Sequence, residues 1–231
     1  MSSALGSQPL LRRARTLAEH HTIADSKRAF HQAFPHVIAP LYRRIADELL
    51  VELHLLSHQV AFQPNALFAV GLNTVFTRFT EGYRPEEHSA GLLSALCSSN
   101  GFDAAQLKDQ SDRCLKEAAG QSGDAFAAWI KGHALKHNSH YSRLMGVGLL
   151  ALLEASEASN AAEDPADRRG HAVKLAADLG LPADRVDKDL TIFSSNSERM
   201  EQAVELMKET LAAERRKKEK RLAEAAQGSD S

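Results

Sequence analysis

Apolar residues recur every three or four positions through most of the chain, which is the spacing of one helical face. Over 39–60 the residues Leu41, Ile45, Leu49, Leu53, Leu56 and Val60 form such a face, and Leu50 and Leu55 widen it enough to predict a central helix. Asn65 is an N-cap for a second core helix carrying Phe68, Leu72, Val75, Phe76 and Phe79 up to Gly82. Pro85 suits a first helical position, opening a segment with Leu92, Leu93, Leu96 and Cys97 that closes at Gly101. Asp103 with Gln106 resembles a capping box before a more polar helix ending at Gly120. Asp124 caps the next, with Phe126, Trp129 and Ile130, and Ser139 begins the helix that holds the apolar run 144–153. Asp164-Pro165 opens another that ends at Gly180. No stretch alternates over a strand's length beside hairpin turns, so the fold class is all-α.

From Val186 the residues Leu190, Phe193, Ser197, Met200, Val204, Met207 and Leu211 step by four and three, a heptad seam. The same phase then lands on Glu214 and Lys218, so the apolar stripe stops before the helical pattern does. Residues 214–221 carry six bases against two acids, a net +4 on about two helical turns. The expectation is a coiled-coil-like C-terminal helix projecting from a single bundle. The anticipated organisation is an N-terminal extension over 1–21, a helical bundle over 22–195, an extended helix with a basic end over 196–226, and a disordered tail over 227–231.

The 231 residues are 43% hydrophobic and 25% charged, enough to bury one sizeable core and too apolar for disorder throughout. A net charge of -2 gives no global attraction to nucleic acid or anionic membrane, so any electrostatic partner is met locally. Cys97 and Cys114 fall in separate helices and read as reduced thiols. The ten uncharged apolar residues 144–153 span about half a bilayer and read as a buried core helix. Arg12, Arg13 and Arg15 lie in a start with no apolar h-region, which is not a secretory signal; of the two remaining readings, a frayed extension is preferred to a short organellar presequence.

Several constellations invite chemical readings, and most have plainer ones. Gly146-x-Gly148-x-x-Ala151 matches the letters of a dinucleotide fingerprint but lies inside an apolar helix, where close helix packing explains it. His54 and His58 are spaced i, i+4, as are His133 and His137, with His140 one turn on. Such sets can present nitrogens to zinc, yet neither Glu-x-x-His nor His-Glu-x-x-His occurs, and solvated or core-edge histidines are preferred, with no metal assigned. Glu48 and Glu52 form a carboxylate pair that Arg43, Arg44 and Asp47 are placed to neutralise as a structural network. Without a nucleophile elbow, a phosphate loop or a Cys-His pair, no catalytic residue and no cofactor is assigned. The stretch from Leu175 to Val186 spaces Ala176, Gly180 and Val186 as a helix-turn-helix does, making a DNA-binding regulator over 165–196 the competing function. Its reading helix would bring Asp184, Asp187 and Asp189 to phosphate, which favours a plain helix corner. The basic residues Arg215, Arg216, Lys217, Lys218, Lys220 and Arg221 are a solvated helix end, a nucleic-acid tail, or a contact for anionic lipid or an acidic partner.

Across residues 22–221 the chain resembles the thylakoid formation proteins, the photosystem II biogenesis factors of cyanobacteria and chloroplasts. The resemblance is carried by Thr22-Ile-Ala-Asp-Ser-Lys-Arg-Ala-Phe30, Leu41-Tyr-Arg-Arg44, Glu48-Leu-Leu-Val-Glu-Leu-His-Leu-Leu-Ser57, Gly82-Tyr-Arg-Pro85, His140-Tyr-Ser-Arg-Leu144, Lys188-Asp-Leu190 and Met200-Glu-Gln-Ala203. It implies a non-catalytic accessory factor for photosystem II biogenesis, repair and thylakoid organisation, with FtsH-type membrane protease and assembly components as partners. It also implies a peripheral place on the cytoplasmic face of the thylakoid in a cyanobacterium, with a soluble pool. Among the motif positions, Arg43, Arg44, His140, Tyr141 and Arg143 are polar and are assigned as partner contacts. The stretch 100–136 matches the family pattern only loosely.

Overall fold

A computed structural model describes residues 21–156 and 164–228, with side chains up to Arg221. Among the described residues there is no strand. The helices are α1 (Ile23–Ala33), α2 (Pro40–Ser57), α3 (Ala66–Phe79), α4 (His88–Ser98), α5 (Ala104–Ala119), α6 (Gly123–Ile130), α7 (Arg143–Ser156), α8 (Pro165–Asp178) and α9 (Ala183–Gly228). The chain is therefore all-α with a long C-terminal helix. It divides into a body ending at Leu190 and a second unit from Thr191 onward.

In the body, α3 packs against α7 and α5, and α5 also touches α7. This trio is the innermost layer: Leu67, Phe68, Ala69, Val70, Leu144, Met145, Leu149 and Leu152 are all buried. Phe62, Phe68 and Phe102 cluster at one end of it. A second group, α1, α2 and α4, packs together, α4 also meeting α5, while α8 lies on α7. The apolar run 144–153 is the heart of α7 and is buried at all but one position.

Two glycines set the α3–α7 separation. A Cβ on Gly148 would collide with the Leu67 carbonyl, and one on Gly71 with the Leu144 carbonyl, so the two backbones touch where side chains would otherwise stand. Gly148 in the apolar helix is thus a packing device.

Helix ends follow local chemistry. Asn65 Oδ1 accepts from Phe68 N at 2.9 Å, Asp103 Oδ1 from Gln106 N at 3.0 Å and Asp164 Oδ1 from Ala166 N at 2.9 Å, as their sequence positions predict. Gly101 and Gly180 take φ of +78° and +72°, the left-handed conformation that glycine allows after a helix. Three predicted starts move. Pro85 sits in a turn after a cis bond from Arg84, and α4 begins at His88. α7 begins at Arg143 and not at Ser139, because Ser142 Oγ accepts the amide of Leu144 at 3.2 Å. α6 is entered through Ser122, which leaves Asp124 within the first turn. One helix, α1, was not predicted; Thr22 and Asp25 cap it reciprocally, a true capping box.

Within α9 the stripe fades along the chain. Val186, Leu190, Ser197, Met200 and Val204 are buried, Met207 is half-buried, and Leu211 is exposed with every described residue after it. The extension 1–20, the segment 157–163 and the last three residues lie outside the described residues.

Candidate functional site

The outer face of α2 holds the first set of predicted polar positions. Arg43 is exposed, and Arg44 Nε donates to Glu48 Oε1 at 2.8 Å, one turn away, with its side chain 85% exposed. Such a solvated pair contributes little to stability. Glu52 does not join it. Its side chain is only 14% exposed and turns to α7, where Arg143 Nε donates to Oε2 at 2.6 Å and Ser142 Oγ to Oε1 at 3.1 Å. The local network expected for the two carboxylates is therefore split, the second being neutralised from 91 residues away. Burial pushes the Glu52 carboxyl above its usual range, while Arg143 and Ser142 pull it back.

The neighbouring residues extend this contact into a clasp. The His140 amide donates to the Ala61 carbonyl at 3.0 Å, holding the segment before α7 against the turn after α2. Tyr141 Oη donates to Asp189 Oδ2 at 2.9 Å, on the first turns of α9, and its hydroxyl is held far above the ordinary phenol range by burial and by Asp189. Gly146 leaves the room for that phenol, since a Cβ there would stand 2.9 Å from the Tyr141 hydroxyl oxygen. His140, Tyr141, Ser142 and Arg143 each make a tertiary link, and Arg143 remains 44% exposed at the surface.

The helix corner between α8 and α9 is built from Ala176, Leu179, Leu181 and Val186, all buried around Gly180. Two of the three acids of the would-be reading helix have protein partners: Asp187 lies 3.4 Å from Arg169, and Asp189 accepts from Tyr141. In the second unit the basic residues Arg215, Arg216, Lys217, Lys218, Lys220 and Arg221 are all exposed, and Arg215 pairs with Glu219 at 3.1 Å.

The histidine sets diverge. His54 and His58 stand with ring centroids 4.4 Å apart, as one helical turn requires. His133 packs on Trp129 and lies 3.9 Å from Cys114 Sγ, while His137 is exposed and His140 half-buried. The helix ends at Ile130, so the i, i+4 premise fails for that second set. Cys97 and Cys114 are free and buried, and burial pushes their thiols up to about 12 and about 11, which makes them inert. His21, which spacing within one helix has no means to connect to α2, lies against His54 and His58.

Residues 22–222 match the model of the family described as thylakoid formation protein. The chain belongs to the thylakoid formation protein family. Protein Thf1 of Parasynechococcus marenigrum (strain WH8102) is 74% identical over 211 residues, covering 91% of this chain and 98% of that one. Protein Thf1 of Synechococcus sp. (strain CC9605) is 60% identical over 215 residues, covering 93% and 100%. The solved structure of Psb29 superposes with a TM-score of 0.68 at 34% identity, covering 85% of this chain and 98% of that one. The clasp gives the family resemblance a physical meaning. Three of the segments that carry it, Glu48–Ser57, His140–Leu144 and Lys188–Leu190, meet through Glu52–Arg143 and Tyr141–Asp189. Membership in the thylakoid formation family ties the chain to the thylakoid, and no helix among the described residues is long and apolar enough to cross a membrane.

Proposed function

We propose that this chain is a non-catalytic accessory factor for photosystem II biogenesis and repair, acting at the cytoplasmic face of the thylakoid through FtsH-type membrane protease and assembly components. The observation that carries the proposal is the family match over residues 22–222, joined by coverage of nearly the full length of the Thf1 relatives. The body supplies a rigid platform, because α1, α2 and α4 are locked to one another and α2 is fastened to α7 by the buried end of Glu52. On that platform Arg43, Arg44 and Arg143 offer planar guanidinium groups at the surface, the side chains suited to an acidic partner face. His140 and Tyr141 act beside them by holding the segment that presents Arg143. The basic run 215–221 gives the second unit an affinity for an anionic surface.

The test is a mild-detergent pulldown of the tagged protein from its native host against an untagged control, read by mass spectrometry. Enrichment of FtsH-type protease or photosystem II assembly subunits is the expected result, and Arg43→Glu with Arg44→Glu should reduce it. Enrichment of nucleoid or transcription proteins without thylakoid subunits would overturn the proposal in favour of the helix-turn-helix reading.

A further inference from the structure

Three imidazoles from two elements converge where α1 begins and α2 ends. His21 precedes Thr22, the N-cap of α1, while His54 lies in the last turn of α2 and His58 is its C-cap. The ring of His21 has its centroid 6.1 Å from that of His54 and 6.4 Å from that of His58. One ring nitrogen of each histidine lies within 4.8 Å of one from each of the others.

Hydrogen bonds decide which nitrogen of each ring carries the proton. Asn100 Nδ2 donates to the Leu96 carbonyl at 2.9 Å, so its Oδ1 is the atom turned toward Ser26, and the Ser26 hydroxyl donates to it at 2.9 Å. With its one proton committed, Ser26 Oγ accepts from His54 Nδ1 at 2.9 Å and from His21 Nδ1 at 3.4 Å. His58 Nδ1 lies 2.8 Å from the carbonyl of His54, an atom that only accepts. These contacts favour the Nδ1–H tautomer in the three rings, which places the lone pair on Nε2. Metal-binding histidines are prepared in this way, one ring nitrogen donating to a fixed oxygen and the other free to coordinate. Ser26 and Asn100 are themselves buried, so a polar network inside the body is committed to orienting rings at its edge.

We propose that His21, His54 and His58 form a three-histidine site for a divalent transition metal, zinc foremost, with the remaining coordination position open to water or to a partner's side chain. Imidazole nitrogens without a carboxylate select zinc and its neighbours over calcium or magnesium. Tetrahedral zinc with Zn–N of about 2.0–2.1 Å sets the nitrogens about 3.4 Å apart, a closure that side-chain rotation supplies. Bound metal clips the start of α1 to the end of α2.

The test uses the untagged full chain, stripped with chelator and titrated with Zn²⁺ alone by calorimetry, and with Co²⁺ followed by visible absorption. One ion per chain and the absorption of tetrahedral cobalt are expected. His58→Gln, at an exposed position, should weaken binding tenfold or more with an unchanged circular dichroism spectrum. Ser26→Ala should weaken it by about 10–100-fold through lost orientation, and His137→Gln should leave it unaltered. No heat above the buffer blank, or one-site binding that survives in both His58→Gln and His54→Gln, would overturn the proposal.

Discussion

At the scale of single residues, the most consequential choice in the body is the absence of a side chain. Gly71 and Gly148 face one another across α3 and α7, and each meets backbone where a Cβ would stand. Backbone has no rotamer to change, so the helices would have to separate along their whole contact. Gly146 differs, since its added Cβ would meet the Tyr141 hydroxyl, the far end of a side chain. Gly148→Ala is accordingly expected to lower unfolding free energy by about 1–3 kcal/mol or more through overpacking. Gly146→Ala should cost less, because the phenol can move aside, while the gain of about 1 kcal/mol in helix propensity is common to both variants. Urea unfolding of both variants checks the order, and a Gly148→Ala protein as stable as Gly146→Ala would show that α3 and α7 separate freely. The letters Gly146-x-Gly148 were enough to predict close packing; which glycine touches backbone and which makes room for a tyrosine depends on the helix that arrives opposite.

At the scale of elements, α2 and α7 are fastened by the charged contact of Glu52 with Arg143. Removing Arg143 leaves Glu52 largely buried with Ser142 as its remaining side-chain donor, and truncating one partner of such a pair costs more than the pair contributes. Arg143→Ala is expected to destabilise the body by about 1–3 kcal/mol at neutral pH, from the penalty for an under-paired carboxylate. The pH dependence has a definite sign. Glu52 already titrates above the ordinary value of 4.5, and losing Arg143 raises it further. A carboxyl raised on folding binds its proton more tightly in the folded state, so its contribution is fully present below 4.5 and is lost as pH rises through the folded value. The deficit of Arg143→Ala should therefore shrink as pH is lowered from 7.5 toward 4.5, and chemical denaturation across that range measures it. A deficit independent of pH would mean that the arginine acts through packing alone. This contact also marks the limit of reading elements from the chain. The long apolar periodicities gave α2, α3 and α7, and the caps Asn65, Asp103 and Asp164 were legible because a cap and its helix are adjacent in sequence. α1 has no readable apolar period, because its buried side chains are only Ser26 and Phe30, and its Ser26–Asn100 bond joins residues far apart in sequence. Glu52 found its partner 91 residues away, a distance no spacing rule covers.

At the scale of the whole molecule, the apolar and basic parts of the chain are separated along α9 in a way that assigns them different work. The buried apolar residues end at Val204, whereas Leu206 and Leu211 are 65% and 56% exposed and the bases from Arg215 onward are fully at the surface. Residues 214–221 hold +4 with no large apolar side chain among them, so they have the charge to approach an anionic surface and lack the means to insert. Each basic residue near such a surface contributes about 1 kcal/mol, and salt screens the attraction within a Debye length of about 8 Å at physiological ionic strength. The full chain should therefore co-sediment with vesicles containing anionic lipid at low salt, progressively less as salt is raised, and not with neutral vesicles. Deleting 212–231 should lower the bound fraction several-fold while leaving the cooperative unfolding of the body in place, since among the described residues every buried apolar position precedes the cut. Equal sedimentation of the truncated and full-length proteins at low salt would remove the tether. Binding would then rest with the arginines of the body, and Arg43→Glu with Arg44→Glu would be the variant that abolishes it.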